Sequence, residues 1–292
     1  MQERLSVIIT AYDNFGVTVA HVREAMNALR MPDEIIIVND AGDVKLRDML
    51  LALPRKTKVI YARVNEDIAW NYTGARNLGF WLSTGDFISM EDNDNIPSPQ
   101  AYHLALEHFK ERPEIGRCIY GRRKKATSEE VINKPYREWR RKGLRATHQD
   151  TQMLRREVIL KAKGCDERFA GQYAWACADW RRRLLRLGII SSSVNAGFVS
   201  VWDAETLRCH CENENPKDGF CQICGKVTYR KSYVNYKLAR ENISEEQYQS
   251  LSENERLNHK LSLYKEGKAK NYAKLQSPRG MLNFTYTWEI LP

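Results

Sequence analysis

The stretch Thr84-Gly-Asp-Phe-Ile-Ser-Met-Glu-Asp-Asn-Asp94 decides how the chain is read. Its apolar run Phe87–Met90 reads as a buried strand. Three acids follow within four residues, so Asp92 and Asp94 leave the strand end at a two-residue spacing. Paired carboxylates there suit a hard divalent cation, Mg2+ or Mn2+, which takes oxygen ligands and bridges to substrate phosphates. Acidic turns after strands are also common without a metal, so the surroundings must decide.

Upstream, Leu5–Thr10, Glu34–Val38 and Thr57–Tyr61 read as further strands, with Asp86–Met90 as the fourth. Helical periodicity near Val17–Leu29, Val44–Leu53 and Trp70–Leu82 separates them. Strands alternating with helices imply right-handed crossovers and a largely parallel sheet. Ligands of such sheets bind beyond the carboxyl ends of the strands, here Thr10–Asn14, Asn39–Asp43, Ala62–Asp67 and Glu91–Asn95. A helix near Pro99–Glu111, a strand entering a helix at Gln152–Lys161 and a helix at Ala178–Leu187 ended by Gly188 continue the pattern.

The chain has 292 residues, 42% apolar, and a formal net charge of +9. Disorder and rod-like assemblies are excluded by that composition, and the charge favours a polyanionic partner. Aliphatic runs such as Ile35–Val38 last about four residues where a membrane-spanning helix needs about twenty, so no transmembrane segment is expected. The start, Met1-Gln-Glu-Arg, runs directly into Leu5-Ser-Val-Ile-Ile without the features of a secretory signal, which predicts a cytoplasmic protein.

Four of the seven cysteines, Cys209, Cys211, Cys221 and Cys224, fall within sixteen residues. Cys209-His-Cys211 and Cys221-Gln-Ile-Cys224-Gly resemble the two knuckles of a zinc ribbon, in which four thiolates close a structural Zn2+ site. The expected organisation is an α/β domain over 1–205, the ribbon over 206–230 and a mostly helical extension over 231–292.

Ser6-Val-Ile-Ile-Thr-Ala-Tyr-Asp13, Glu34-Ile-Ile-Ile-Val-Asn-Asp-Ala-Gly-Asp43, Gly74-Ala-Arg-Asn-Leu-Gly79 and Thr84–Asp94 stand in an order and spacing that resemble the GT-A-fold glycosyltransferases of family 2. The likeness continues through Leu154-Arg-Arg-Glu-Val158 and Gly164-Cys-Asp-Glu-Arg-Phe169, and so covers about residues 4–205. It implies a Rossmann-like mixed sheet flanked by helices, a nucleotide-sugar donor whose usual base is uracil, and inversion at the sugar carbon.

By the same resemblance, Thr10, Ala11 and Tyr12 would line the nucleotide pocket and Asp40 would receive base and ribose. Asn39 replaces the first of the family's two adjacent acids. Arg76 would face the diphosphate, where a permanently charged planar fork suits phosphate oxygens. Asp94 would be the direct metal ligand and Asp92 would lie nearer the ribose or diphosphate, with Asp203 or His210 completing the site.

The family's catalytic base lies in a Glu-Asp pair at the start of a helix. Counting back from Arg183 and Gly188 puts Ala176 and Cys177 in that place, whereas matching Trp180 puts Ala178 and Asp179 there. Asp179 is the only acid near either register and is the expected base.

Arg122–Arg145 holds ten Lys or Arg against three Glu, with Tyr136 and Trp139 interleaved. It reads either as a solvated loop or as a polyanion surface, with Arg122, Arg123, Lys124, Lys125, Arg140 and Arg141 facing the acceptor. With the ribbon it points to nucleic acid, hydroxyl-bearing modified bases in DNA being one candidate. Surface polysaccharide, lipid-linked glycan or protein is the same-class alternative. A zinc module on an inactive transferase domain is the alternative of another class.

Overall fold

A computed structural model of the chain describes residues 3–12, 14–68, 71–139, 142–145, 150–170, 176–201 and 284–292. The first half is the expected alternation: β1 (Leu5–Ala11), α1 (Phe15–Met26), β2 (Glu34–Asn39), α2 (Lys45–Leu51), β3 (Lys58–Val64), α3 (Tyr72–Leu82) and β4 (Phe87–Asp92). The four strands are parallel neighbours in the order β3-β2-β1-β4.

Every residue of β1 and β2 is buried, because helices cover both faces of the sheet. The two-residue period of a strand then divides β1 between two cores. Leu5, Val7 and Ile9 pack with Val22 and Met26 of α1 and with Leu46 and Leu50 of α2. Ile8 faces the other way, with Ala75 and Leu78 of α3. Gly79 allows that helix to close on β1: a Cβ there would stand 2.3 Å from Ile8 Cγ2.

The second half comprises β5 (Asn95–Pro97), α4 (Ala101–Glu111), β6 (Arg117–Ala126), α5 (Ser128–Asn133), β7 (Lys142–Arg145), β8 (Gln152–Arg155), α6 (Arg156–Lys161), α7 (Ala176–Arg186), β9 (Ser191–Val201) and β10 (Tyr286–Leu291). Among the described residues the strands form one mixed sheet, ordered β10-β3-β2-β1-β4-β8-β6-β9-β5 with β7 beside β6. No described helix is long and apolar enough to cross a membrane.

Two features differ from the sequence reading. The basic segment is not a loop: Arg122 to Lys125 lie on β6, which pairs with β9 and β7. The interleaved aromatics are not part of a solvated loop or surface. Tyr136 and Trp139 are buried against Val131 of α5 and Val199 of β9 in a third core, their rings 4.8 Å apart. Apolar packing of two large rings outweighed the polar character of their neighbours.

The mostly helical stretch expected from Tyr229 to Gln276 lies outside the described residues, and the closing residues after it form a strand. β10 pairs antiparallel with β3, which places it at the sheet edge. Its sequence, Tyr-Thr-Trp-Glu-Ile-Leu, is rich in β-branched and aromatic residues. Arg47 of α2 donates to both Glu289 carboxylate oxygens, at 2.5 and 2.9 Å.

Candidate active site

β1, β2 and β4 end level with one another, Thr10 opposite Asp92 and Ala11 opposite Asn39. Thr10 and Ala11 are buried at this edge, while Tyr12 is 54% exposed and stands at its rim. The Asp40 amide donates to the Ala11 carbonyl at 2.7 Å, which closes the gap between the two strand ends. Asn39 is fully buried and turned inward, its amide donating to Tyr61 Oη at 2.9 Å and to the Asp43 carbonyl at 3.0 Å. The residue that replaces an acid is therefore a staple for the turn after β2. Ala41 in that turn has φ 60°, a left-handed conformation that strains a residue bearing a Cβ and marks the loop as shaped for a purpose.

Asp40 is buried, and its Oδ1 accepts from Asn71 Nδ2 at 2.9 Å. Burial pushes its carboxyl up to about 7; the Asn71 hydrogen bond opposes the rise and the nearby Asp67 charge adds to it. Between about pH 4 and 7 the folded chain thus holds a proton that the unfolded chain has released, so stability falls as pH rises through that window. Asp40→Asn removes this titration. Between pH 5 and pH 8 the variant should lose about 3 kcal/mol less stability than the wild type, read from urea midpoints. Equal losses would show that Asp40 ionises freely in the fold.

Arg76, on α3, is 1% exposed. Its Nη2 donates to Asp92 Oδ1 at 2.8 Å and to the Asp150 carbonyl at 3.3 Å, and its guanidinium lies 4.6 Å from the Tyr72 ring centre. Burial works against the Arg76 charge, but Asp92 and then Tyr72 and Asp150 outweigh it and hold the group more firmly protonated than usual. Asp94 accepts from Asn95 Nδ2 at 2.8 Å, and its carbonyl accepts from the Val201 amide at 2.7 Å. The two carboxylates are partly exposed oxygen donors on one turn between β4 and β5. Among the described residues they are not joined by a third ligand into a metal-binding group. Two carboxylates that leave further positions to phosphate and water fit Mg2+ or Mn2+ chemistry.

Beneath this turn lies a buried network. His21 Nε2 is 2.6 Å from Glu91 Oε2 and its Nδ1 is 3.2 Å from the Asn93 carbonyl, with both side chains fully buried. Tyr102 Oη donates to the same Glu91 oxygen at 3.1 Å, and Ser89 Oγ donates to the other at 2.5 Å. Nothing in the spacing of these residues signals that they meet, because they come from α1, β4 and α4.

This strand-end edge is polar and incompletely satisfied. Asn39 Oδ1, Asn71 Oδ1, Thr73 Oγ1, Arg76 Nε and Asp150 Oδ1 are buried without hydrogen-bond partners. Unpaired buried polar atoms are costly, and their concentration beside Asp40 and Asp92 fits a site shaped for a polar ligand.

The chain matches the model of glycosyl transferase family 2 over residues 6–161. The chain belongs to that family. Two curated glycosyl transferase relatives are an uncharacterized glycosyltransferase of Rickettsia bellii (strain RML369-C), 26% identical over 109 residues, and the hyaluronan synthase of Pasteurella multocida, 25% identical over 133. The matches cover 37% and 45% of this chain but only 15% and 13% of those relatives. In fold the family 2 chain is similar to S. aureus TarS 1–349, with a TM-score of 0.53 at 12% identity over 90% of this chain and 73% of that one. TarS 1–349 in complex with UDP-GlcNAc aligns with a TM-score of 0.50 at 12% identity over 69% of this chain and 57% of that one. These likenesses show the GT-A type of fold.

Thr10, Ala11, Asp40, Arg76, Asp92 and Asp94 thus gather at one edge of this family 2 domain. Asp179 lies on α7, 2% exposed, where its Oδ2 accepts from Arg183 Nε at 2.9 Å. Arg183 also donates to the Ala162 and Gly164 carbonyls at 2.8 and 2.9 Å. Arg122 to Lys125 stand on β6, and Lys124 and Lys125 are half-buried. Arg140, Arg141, Asp203, His210, Cys209, Cys211, Cys221 and Cys224 lie outside the described residues. Sequence reasoning missed Asn71, Tyr72, Thr73 and Asp150. Asp150 carried one signal: it is the lone acid between Glu138 and Glu157.

Proposed function

We propose that the chain transfers a sugar, with inversion, from a nucleoside diphosphate sugar to a hydroxyl of a polyanionic acceptor. The observation that carries this reading is the buried Arg76 paired with Asp92 at the shared edge of β1, β2 and β4, beside Asp40. Asp40 and the Thr10–Tyr12 edge would hold the nucleoside, uridine being the expected one. Arg76 would hold the diphosphate. Asp92 and Asp94 would hold a divalent cation, which supplies positive charge to the leaving diphosphate. The acceptor oxygen attacks the anomeric carbon as its bond to the diphosphate breaks with the electron pair, and the acceptor proton passes to a carboxylate. Asp179, the sequence-based choice for that carboxylate, is engaged by Arg183.

The net charge of +9 and the Arg122–Lys125 run on β6 support a polyanionic acceptor. DNA carrying hydroxylated bases is the acceptor to try first, and Cys209, Cys211, Cys221 and Cys224 would form a structural Zn2+ site. The test is release of nucleoside diphosphate from a panel of nucleotide sugars with Mn2+ or Mg2+, with and without such DNA. DNA-stimulated release that weakens between about 50 and 200 mM salt is the expected result. Release indifferent to DNA redirects the acceptor to phosphorylated glycan, lipid-linked glycan or protein. Tight DNA binding with no donor turnover would favour a binding module on an inactive domain, a reading that rests on Ala176 and Cys177 standing where a Glu-Asp pair is expected.

A further inference from the structure

α7 begins with Ala176 and Cys177, the place reached by counting back from Arg183 and Gly188, and neither carries a carboxylate. The structure brings one there from another part of the chain. The Cys177 thiol hydrogen-bonds the Asp150 carboxylate and lies 3.0 Å from Tyr72 Oη. Burial, and next the Asp150 charge, push the thiol well above its ordinary range, so Cys177 stays protonated and acts as a donor.

Register explains the placement. Met90 of β4 pairs with Gln152 of β8 in an antiparallel ladder. Asp150, two residues before Gln152, therefore comes level with Asp92, two residues after Met90. Arg76 Nη2 confirms the proximity, since it donates to the Asp92 carboxylate and to the Asp150 carbonyl together. Ile119 of β6 also pairs with Gln152, so the basic run Arg122–Lys125 continues from the level of Asp150.

Asp150 is 8% exposed, and its Oδ1 has no hydrogen-bond partner. The charged and titratable groups that face it are Arg76 and Tyr72 from α3, Cys177 from α7 and Arg117 from β6. Arg76 and Arg117 offset its charge. A neutral thiol donor thus meets the carboxylate, and its Oδ1 is buried without a partner near the Arg76 guanidinium.

Resting on the glycosyl-transfer reading above, we propose that Asp150 is the catalytic base that removes the acceptor proton. Its carboxylate takes the hydroxyl hydrogen while the acceptor oxygen bonds to the anomeric carbon. The bond from that carbon to the diphosphate breaks, the pair going to the phosphate oxygen, and the proton later leaves Asp150 for solvent. The carboxylate absent from the first two positions of α7 is supplied by the segment entering β8, and Cys177 orients it.

The test compares full-length wild type with Asp150→Asn, Asp150→Glu and the double variant Asp150→Asn/Cys177→Asp. The readouts are UDP release from a panel of UDP-sugars with Mn2+, the Kd for UDP by calorimetry, and the thermal melt. Asp150→Asn should lower kcat by about 10²- to 10⁴-fold, with the Kd for UDP held within about twofold. Asp150→Glu should retain more turnover than Asp150→Asn. The double variant, which places a carboxylate at the second position of α7, should regain at least about tenfold.

Turnover of Asp150→Asn within about threefold of wild type would overturn the proposal and leave glycosyl transfer standing. So would a loss of UDP affinity that matches the loss of turnover, or a selective loss in Asp179→Asn with its melt unchanged. No release by wild type from any donor would overturn both readings.

Discussion

Arg76→Ala should lower both stability and turnover, because one guanidinium serves two carboxylate-bearing segments. Removing it leaves Asp92 without its 2.8 Å partner and the Asp150 carbonyl without a donor. Breaking a buried pair from one side costs about 3–5 kcal/mol. The Asp92 side chain is 28% exposed, so the lower figure applies, a fall in Tm of roughly 6–12 °C for a domain of this size. Turnover should fall by at least about 10²-fold, since a preorganised cation would no longer meet the charge that develops on the diphosphate. Arg76→Lys should recover stability better than turnover: an ammonium offers a point charge but cannot present a planar fork to phosphate oxygens. Circular dichroism melts and UDP-release kinetics separate the two effects. An unchanged melt with unchanged kinetics would remove Arg76 from the site.

Asp94→Ala should act on turnover alone. Asp94 is partly exposed on the β4–β5 turn, its side chain accepts a hydrogen bond from the neighbouring Asn95, and the carbonyl that holds Val201 belongs to the main chain, which the substitution leaves in place. The melt should therefore move by only a few degrees. Donor turnover should fall by about 10³-fold or more, and its dependence on Mn2+ concentration should disappear, because a metal held by a single remaining carboxylate is no longer fixed against the diphosphate. Mn2+-dependent turnover at saturating donor in this variant would show that the cation is held elsewhere.

The parts of the molecule that were legible in the sequence are those whose signals are local. β1 to β4 are buried on both faces, so each appears as a continuous apolar run, and their carboxyl ends carry the site by topology. β6 was hidden because its second half, Arg122 to Lys125, is basic, and strand pairing with β9 rather than hydropathy defines it. Tyr136 and Trp139 read as part of a basic loop or surface because composition does not tell which way a ring points; packing on Val131 and on Val199, some sixty residues away, decides that. Asp150 was illegible for a similar reason. Its relation to Asp92 follows from an antiparallel register between strands some sixty residues apart, and its relation to Cys177 from the packing of α7. Asp179 stood out as the nearby acid, yet its spacing of four from Arg183 is also the spacing of a helix-stabilising pair.

The return of the chain to the sheet as β10 changes the topology of what lies between. Residues 202–283 leave from Val201, which is bound to the Asp94 carbonyl, and rejoin at Phe284, whose ring a Cβ on Gly74 would meet at 2.5 Å. Gly74 is two residues from Arg76 on α3. The two described residues that flank the four-cysteine stretch are thus both fixed near the candidate site, Val201 at Asp94 and Phe284 beside α3. Chain covalently anchored at both ends beside a site has an effective concentration there set by its length rather than by affinity. A cut after Val201 or before Phe284 would remove one of those two anchorages while leaving Asp40, Arg76 and Asp92 in place.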